Sequence, residues 1–444
     1  MTGQKPLALH EDRLLPANRD ARAIARRLYR SIGDLPIVSP HGHTDPQWFA
    51  DNMPFPDPAQ LLITPDHYVT RMLYSHGVPL QRLGVRRRDG GEYERDGRKI
   101  WRLFAGHYRL FLGTPSRIWL HHVFAEVFGM KVELSPATAD LYYDAVDEQL
   151  RRDDMRPRAL LDRFGIEVIA TTESALDPLA HHRKLASTPY AQRVITTFRP
   201  DDVVNPDREG FARNIDTLGE LTGQDTTRWS GYLAALQERR RFFKAADREM
   251  FRAQMLTEMA RMSLDDGLVM QIHAGAWRDH NRRVHDRFGP DVGGDIPQRS
   301  DFVGGLQPLL QRFANESELT IILFTLDESV YARELAPLAG HYPVLKLGPP
   351  WWFHDSPEGM MRFRRRITET AGFYNTVGFN DDTRAFLSIP ARHDVARRMD
   401  CAYLAELVVE HRLEEDEAAD LAVDLTYNLV RSAYRIPAAS RRAA

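Results

Sequence analysis

Two histidines separated by a single glycine, His41-Gly42-His43, end a short apolar run, Leu35-Pro36-Ile37-Val38. In an extended segment residues i and i+2 face the same way, so both imidazoles can address one ion. The glycine between them allows a tight backbone turn. Imidazole nitrogens suit divalent metals such as zinc. An H-x-H pair alone is a weak signal, but residues of matching chemistry end later apolar runs. His273 closes the run Leu268–His273, and Asp381 and Asp382 follow Thr376–Asn380. Asp382 has two readings. It is either an acidic cap at a helix start, or a metal ligand that also moves a proton, since a carboxylate beside a cation stays ionised and available as a base. Arg384, two residues on, has the planar fork that grips a carboxylate with two hydrogen bonds. Arg199 follows another apolar run, Arg193–Thr197. Trp351-Trp352-Phe353 follows Pro343–Leu347 and reads either as a wall or lid against a sugar face or as a cluster buried under a loop.

These residues need a frame that gathers strand ends. The strand-like runs are Leu35–Val38, Ile166–Thr171, Arg193–Thr197, Leu268–His273, Thr320–Leu326, Pro343–Leu347 and Thr376–Asn380, with helical segments between them. Strands alternating with helices imply parallel βαβ units and an α/β fold. Seven runs are one short of a closed (β/α)8 barrel, and residues 198–265 are the place for an eighth. In such a barrel the active site lies at the carboxyl ends of the strands, where the candidate residues stand. Residues 19–31 form an amphipathic pattern, and residues 44–165 are mostly helical, a large insertion after the first strand. Within it Ser135-Pro136 is a good helix start. Trp229–Met262 is the longest helical segment. The whole chain, 1–444, reads as one barrel domain. Arg86–Arg88 and Arg364–Arg366 read as solvated surface, and Pro437–Ala444 as a frayed tail.

Composition narrows the function. The 444 residues carry 59 basic and 62 acidic side chains, a net charge of −3, so there is no general attraction to nucleic acid or to an anionic membrane. One cysteine, Cys401, excludes an internal disulfide and a thiolate zinc cluster. The N-terminus lacks a signal-peptide core, and no stretch approaches the roughly 18 apolar residues of a membrane span. The expectation is a cytoplasmic protein that takes a small molecule, with room for a homo-oligomer.

The ordered motifs resemble the uronate isomerase (glucuronate isomerase) family of the amidohydrolase superfamily, over nearly the whole chain. The matching segments are Asp66-His67-Tyr68 with Arg71; Ser135-Pro136 with Thr138-Ala139-Asp140; Thr171-Thr172-Glu173 with Asp177 and His181-His182; and Arg199-Pro200-Asp201. They continue with Gln271-Ile272-His273, Gly275-Ala276, Arg278 and Asn281, then Gly289-Pro290-Asp291-Val292-Gly293, Trp351-Trp352-Phe353 with Asp355, Asp382-Thr383-Arg384, and Arg392-His393. The resemblance implies a metal-dependent (β/α)8 barrel with one divalent ion, usually zinc. His41, His43 and Asp382 would be ligands, with His273 on or near the metal. His67, Tyr68 and Arg384 would lie in the active site, and Arg199, Trp351 and Trp352 near substrate. The implied reaction interconverts D-glucuronate with D-fructuronate, or D-galacturonate with D-tagaturonate, by moving a proton between C2 and C1. Asp382 is the first candidate for the base, with Tyr68 or His67 serving the oxygens. The Thr320 run ends at Leu326-Asp327 without a histidine, which favours one metal over two. The competing reading is a one-metal hydrolase of the same superfamily, acting on an acidic lactone, ester or amide.

Overall fold

The computed structural model describes residues 4–225 and 245–437. Eight strands are present among them: β1 (Ile37–Ser39), β2 (Ile166–Ser174), β3 (Val194–Arg199), β4 (Val269–Ala274), β5 (Ala276–Trp277), β6 (Ile296–Pro297), β7 (Thr320–Thr325) and β8 (Leu345–Leu347). They form a parallel sheet β1-β2-β3, a parallel sheet β4-β7-β8 and a small antiparallel pair β5-β6. The molecule is α/β with mostly parallel pairing, as the alternation of runs requires. β7 is buried from Ile321 to Thr325, the continuous apolar run of a parallel strand covered on both faces.

Two expectations change. The run Thr376–Asn380 is not a regular strand: it joins β8 through one parallel bridge, Thr376 to Leu347, with Leu347 N donating to Asn375 O and Val377 N donating to Leu347 O. Among the described residues no strand occurs between 200 and 265; that span is helical, at Asp201–Val204, Phe211–Thr222 and Ala245–Asp265. The part of the expected Trp229–Met262 helix before residue 245 lies outside the described residues, as does the tail beyond 437. The β5-β6 pair had no counterpart in the apolar runs, because two-residue strands are too short to show a period.

Residues 44–165 contain no named strand and are built of short helices, several started by an aspartate or threonine cap followed by proline, as at Asp45-Pro46, Asp57-Pro58 and Thr114-Pro115. Ser135 forms the expected helix start through a capping box with Thr138. Trp101, Phe104, Phe111 and Phe124 of this layer are fully buried in one core with Ile37, Ile166 and Ile169 of β1 and β2.

The helix Ile389–Val409 is buried along most of its length, although it carries many charges. Each buried charge has a partner, as burial demands. Arg392 pairs with Asp355, His393 with Asp381, Arg398 with Asp394, and Asp400 with Arg364. Arg397 donates to the carbonyls of Gly33 and Leu35. Arg364, read above as solvated surface, is therefore corrected: it is 5% exposed, and its Nε donates to Asp400 Oδ1 at 2.6 Å. Charge density along the sequence did not reveal that its partner lies 36 residues away. Arg86 and Arg88 are exposed, as expected.

Candidate active site

The segment 41–43 is held between the two ends of the fold. Thr172 Oγ1, at the end of β2, donates to Gly42 O at 2.8 Å, and His43 N donates to Thr383 O at 3.0 Å. Gly42 is needed for closeness and not for a left-handed turn: a Cβ there would lie 3.3 Å from Ala170 O and 3.4 Å from Thr383 O. Asp382 does adopt a left-handed backbone, φ +39°, which an aspartate accepts at some cost. It caps no helix, so the capping reading of this residue falls away.

This lacing brings the expected ligands together. One ligand atom from each of His41, His273 and Asp382 lies within 4.8 Å of the others, the one such group among the described residues. His41 Nε2 is 3.5 Å from Asp382 Oδ1 and His273 Nε2 is 3.6 Å from Oδ2. His43 Nε2 approaches Oδ1 to 3.0 Å from the more open side, outside the compact three. None of these approaches has hydrogen-bond geometry: both Asp382 oxygens and His273 Nε2 are buried without a partner. Buried polar atoms left unpaired are costly unless something else satisfies them. Nitrogens and a carboxylate aimed at a common point, and not along N–H bonds, form a donor set that fits a cation.

Register and rings fix the histidines. His273 on β4 is paired with Phe324 on β7, and their rings stack at 4.1 Å between centroids. His41 also packs against His273, 4.7 Å between ring centroids and 6.4 Å from Phe324, and Trp351 meets His273 edge-on at 5.0 Å. Burial, with smaller contributions from neighbouring charges, pushes the His41 imidazole down to about 4 and His273 well below its ordinary value. Both are neutral, the form that binds metal. Burial alone would raise Asp382, while the imidazoles of His41, His43 and His273 that face it act the other way, and the net direction for the carboxyl is below its ordinary value. Behind it, Asp381 Oδ2 is 3.0 Å from His393 Nε2.

The remaining candidates form the walls. His67 and Tyr68 open the helix His67–Ser75, capped by Asp66, whose Oδ1 accepts from Tyr68 N. The His67 ring lies on Tyr68 and against Trp352, 4.7 Å in each case. Burial first, then the charge of Arg384, lowers the His67 imidazole to about 3. Burial pushes the Tyr68 phenol far above its ordinary value. Trp351 and Trp352 are buried, as the cluster reading expected: they are 8% and 7% exposed, packed with Leu326, and their rings contact His273 and His67. Trp352 has φ +51°, a strained backbone for an aromatic residue. Arg199 ends β3, half-exposed, with its Nε 3.1 Å from Asp201 Oδ2, and its charge reaches both His41 and His273. Arg384 is one-third exposed and faces Asp291.

Three contacts were not assigned a role from sequence. Arg392, 1% exposed, pairs with Asp355 and lies 3.6 Å from the centre of the Trp119 ring and 5.4 Å from that of Tyr68. Arg278 lies over Trp352 and Trp351, held by Asp295. Asp291 meets Arg384. Apart from Trp119 and Asp295 these residues stood in the ordered motifs, but only the fold shows which arginine meets which acid.

The chain is similar to known proteins over nearly its whole length. The model of the family described as glucuronate isomerase matches residues 9–247 and 244–434. A uronate isomerase from Rhizorhabdus wittichii is 61% identical, over 97% of this chain and 99% of its own. Another from Phenylobacterium zucineum is 57% identical, over 98% of both. The crystal structure of glucuronate isomerase from Caulobacter crescentus superposes with a TM-score of 0.92 at 53% identity, covering 97% of this chain and 98% of that one. That of uronate isomerase from Thermotoga maritima gives 0.86 at 27% identity, covering 96% and 99%. The hydrolase alternative is not favoured. Among the described residues no helix is long and apolar enough to cross a membrane.

Proposed function

The chain belongs to the glucuronate isomerase family, and on that footing we propose that His41, His43, His273 and Asp382 hold one divalent metal at the mouth of a closed (β/α)8 barrel. The reaction is aldose–ketose isomerisation of hexuronates: D-glucuronate to D-fructuronate and D-galacturonate to D-tagaturonate. Zinc suits the donor set, imidazole nitrogen with a carboxylate and no thiolate. The barrel reading is supported by the parallel order of both sheets and by the lacing of segment 41–43 between Thr172 and Thr383. Residues 44–165 would be a helical insertion in that single domain, and a cytoplasmic location fits the chain.

The single observation that carries the reading is the buried, unpaired Asp382 carboxylate facing His41 and His273. When bound, the metal polarises the sugar oxygens and stabilises negative charge developing on them. Asp382, as the carboxylate, removes the proton from C2 and returns it to C1. The substrate passes through an enediol, so one further proton must leave O2 and one must reach O1. Tyr68 keeps its phenolic proton, and His67 is neutral with one N–H to give and one lone pair to receive, so the pair can serve those oxygens. Arg384 and Arg199 would hold the C6 carboxylate, which explains an acid substrate and not a neutral sugar. Trp351 and Trp352 keep water from the reacting carbons.

The test is incubation of the metal-loaded protein with D-glucuronate and with D-galacturonate, following ketose formation by NMR. Fructuronate or tagaturonate is expected. Cleavage of an acidic lactone with no isomerisation of either uronate would refute the reading.

A further inference from the structure

The loop after the helix Arg282–Phe288 carries two aspartates, each set against a different arginine, and the two pairs differ in kind. Asp295 is 2% exposed. Its Oδ2 accepts from Arg278 Nη1 at 2.7 Å and its Oδ1 from Asp279 N at 2.8 Å. This is a short pair anchored on a buried carboxylate, and it sets Arg278, 43% exposed, over the tryptophan faces. Asp291 is the opposite case. Its side chain is 53% exposed, and its Oδ2 lies 3.5 Å from Nη2 of Arg384, itself 32% exposed. A strong charge-assisted hydrogen bond is about 2.7–2.9 Å, so this contact is stretched and wet.

The loop is nevertheless held in place. At Gly293, φ +83°, a Cβ would meet Arg71 Cβ at 2.5 Å and His67 O at 3.0 Å, so the loop backbone lies directly on the helix that carries His67 and Tyr68. Asp291 therefore stands at a defined edge of the site, beside the arginine expected to bind substrate.

We propose that Asp291 is a specificity-determining residue that competes with the hexuronate's carboxylate for Arg384. The inference rests on the assignment of Arg384 to substrate made above. A stretched, half-exposed ion pair is weak. A substrate carboxylate can displace it and replace its charge with a better-formed, two-pronged contact. A neutral aldose would have to break the same pair and offer only hydroxyl groups in exchange. Asp291 thus discriminates by penalising the uncharged competitor, at the cost of some affinity for the acid itself.

The test is the KM for D-glucuronate of the metal-loaded wild type, Asp291→Asn, Arg384→Met and the double variant. Removing the competitor is expected to lower KM by about two- to five-fold, the range set by exposed ion pairs. Arg384→Met is expected to raise KM, and in that background Asp291→Asn is expected to have no further effect. Asp291→Glu, which keeps the charge, should hold the wild-type KM. An unchanged or raised KM in Asp291→Asn, or the same fall with and without Arg384, overturns the proposal. Arg384→Met with unchanged KM overturns the assignment of Arg384 itself, a separate failure. If the asparagine variant misfolds, Asp291→Ser gives the same readout.

Discussion

His273 Nε2 lies 3.6 Å from Asp382 Oδ2, and neither atom has a hydrogen-bond partner although both are buried. β4 supplies one and the segment after residue 380 the other, so their convergence reports the arrangement of the whole fold. Two such atoms, with His41 beside them, are satisfied together by a cation. Substituting His41→Ala or His273→Ala should therefore abolish stoichiometric divalent metal in purified protein by elemental analysis. A variant that keeps one equivalent would remove that residue from the ligand set.

Gly42→Ala should disturb the site without touching a ligand. The new methyl group would press on Ala170 O and Thr383 O, both backbone atoms with little freedom to move. His41 and His43 would shift by a few tenths of an ångström. A loss of about 10- to 100-fold in metal affinity is expected, the range for groups that orient metal ligands. A metal titration indistinguishable from wild type would show that the close approach is not needed.

The reason for Gly42 marks a limit of sequence reading. The spacing of His41 and His43 at a strand end, and the positions of His273 and Asp382, were legible because strand ends in a parallel α/β fold share one face. The glycine's reason was not: its backbone does not take a positive φ, and the contacts that require it come from residues 128 and 341 positions away. The segment Thr376–Asn380 looked like a strand because it is apolar, yet it makes one bridge before turning into the site. Arg364 was read as surface from its charged run, and its burial against Asp400, like that of the charged helix Ile389–Val409 with partners such as Asp355 and Asp381, rests on contacts that no local pattern reveals.

Acid should destabilise the fold over two windows. His67 is held neutral down to about 3 by burial and by Arg384, whereas an unfolded histidine titrates near 6.5. Its folded pKa is depressed, so as pH falls below about 6.5 the unfolded chain takes up a proton the folded chain refuses, and stability declines toward pH 3. Asp394 acts lower. Burial would raise it, but Arg13 and Arg398 lower it below its ordinary value. Its contribution is present above the unfolded carboxylate value, about 3.9, and is lost as pH falls through the folded value. Urea unfolding from pH 7 to 3 should show a first decline that His67→Asn reduces. A curve identical in that variant would contradict the first window.

Asp394→Ala should cost much more at neutral pH. The carboxylate accepts from Arg13 Nη2 at 2.7 Å, from Tyr29 Oη at 2.5 Å and from Arg398 Nε at 2.9 Å. Removing it leaves buried Arg398 without its charge partner, for which a loss of about 3–5 kcal/mol is expected. Denaturant unfolding at pH 7 checks this, and a change under about 1 kcal/mol, the value of an exposed pair, would contradict it.

Tyr68→Phe should separate positioning from proton movement. The ring keeps its stack on His67 and its contact with Trp119, at 4.7 Å and 5.5 Å, while the hydroxyl is lost. A fall in kcat of about 10²- to 10⁴-fold with little change in KM is expected for a proton-transfer group. A KM effect alone would assign Tyr68 to binding.

The most direct test is the rate at which metal-loaded Asp382→Asn converts D-glucuronate to the ketose, followed by NMR beside the wild type. Asparagine preserves shape and removes the base. The account predicts a loss of at least about 100-fold in turnover, the lower bound for general base catalysis. Turnover within two-fold of the wild type would contradict it.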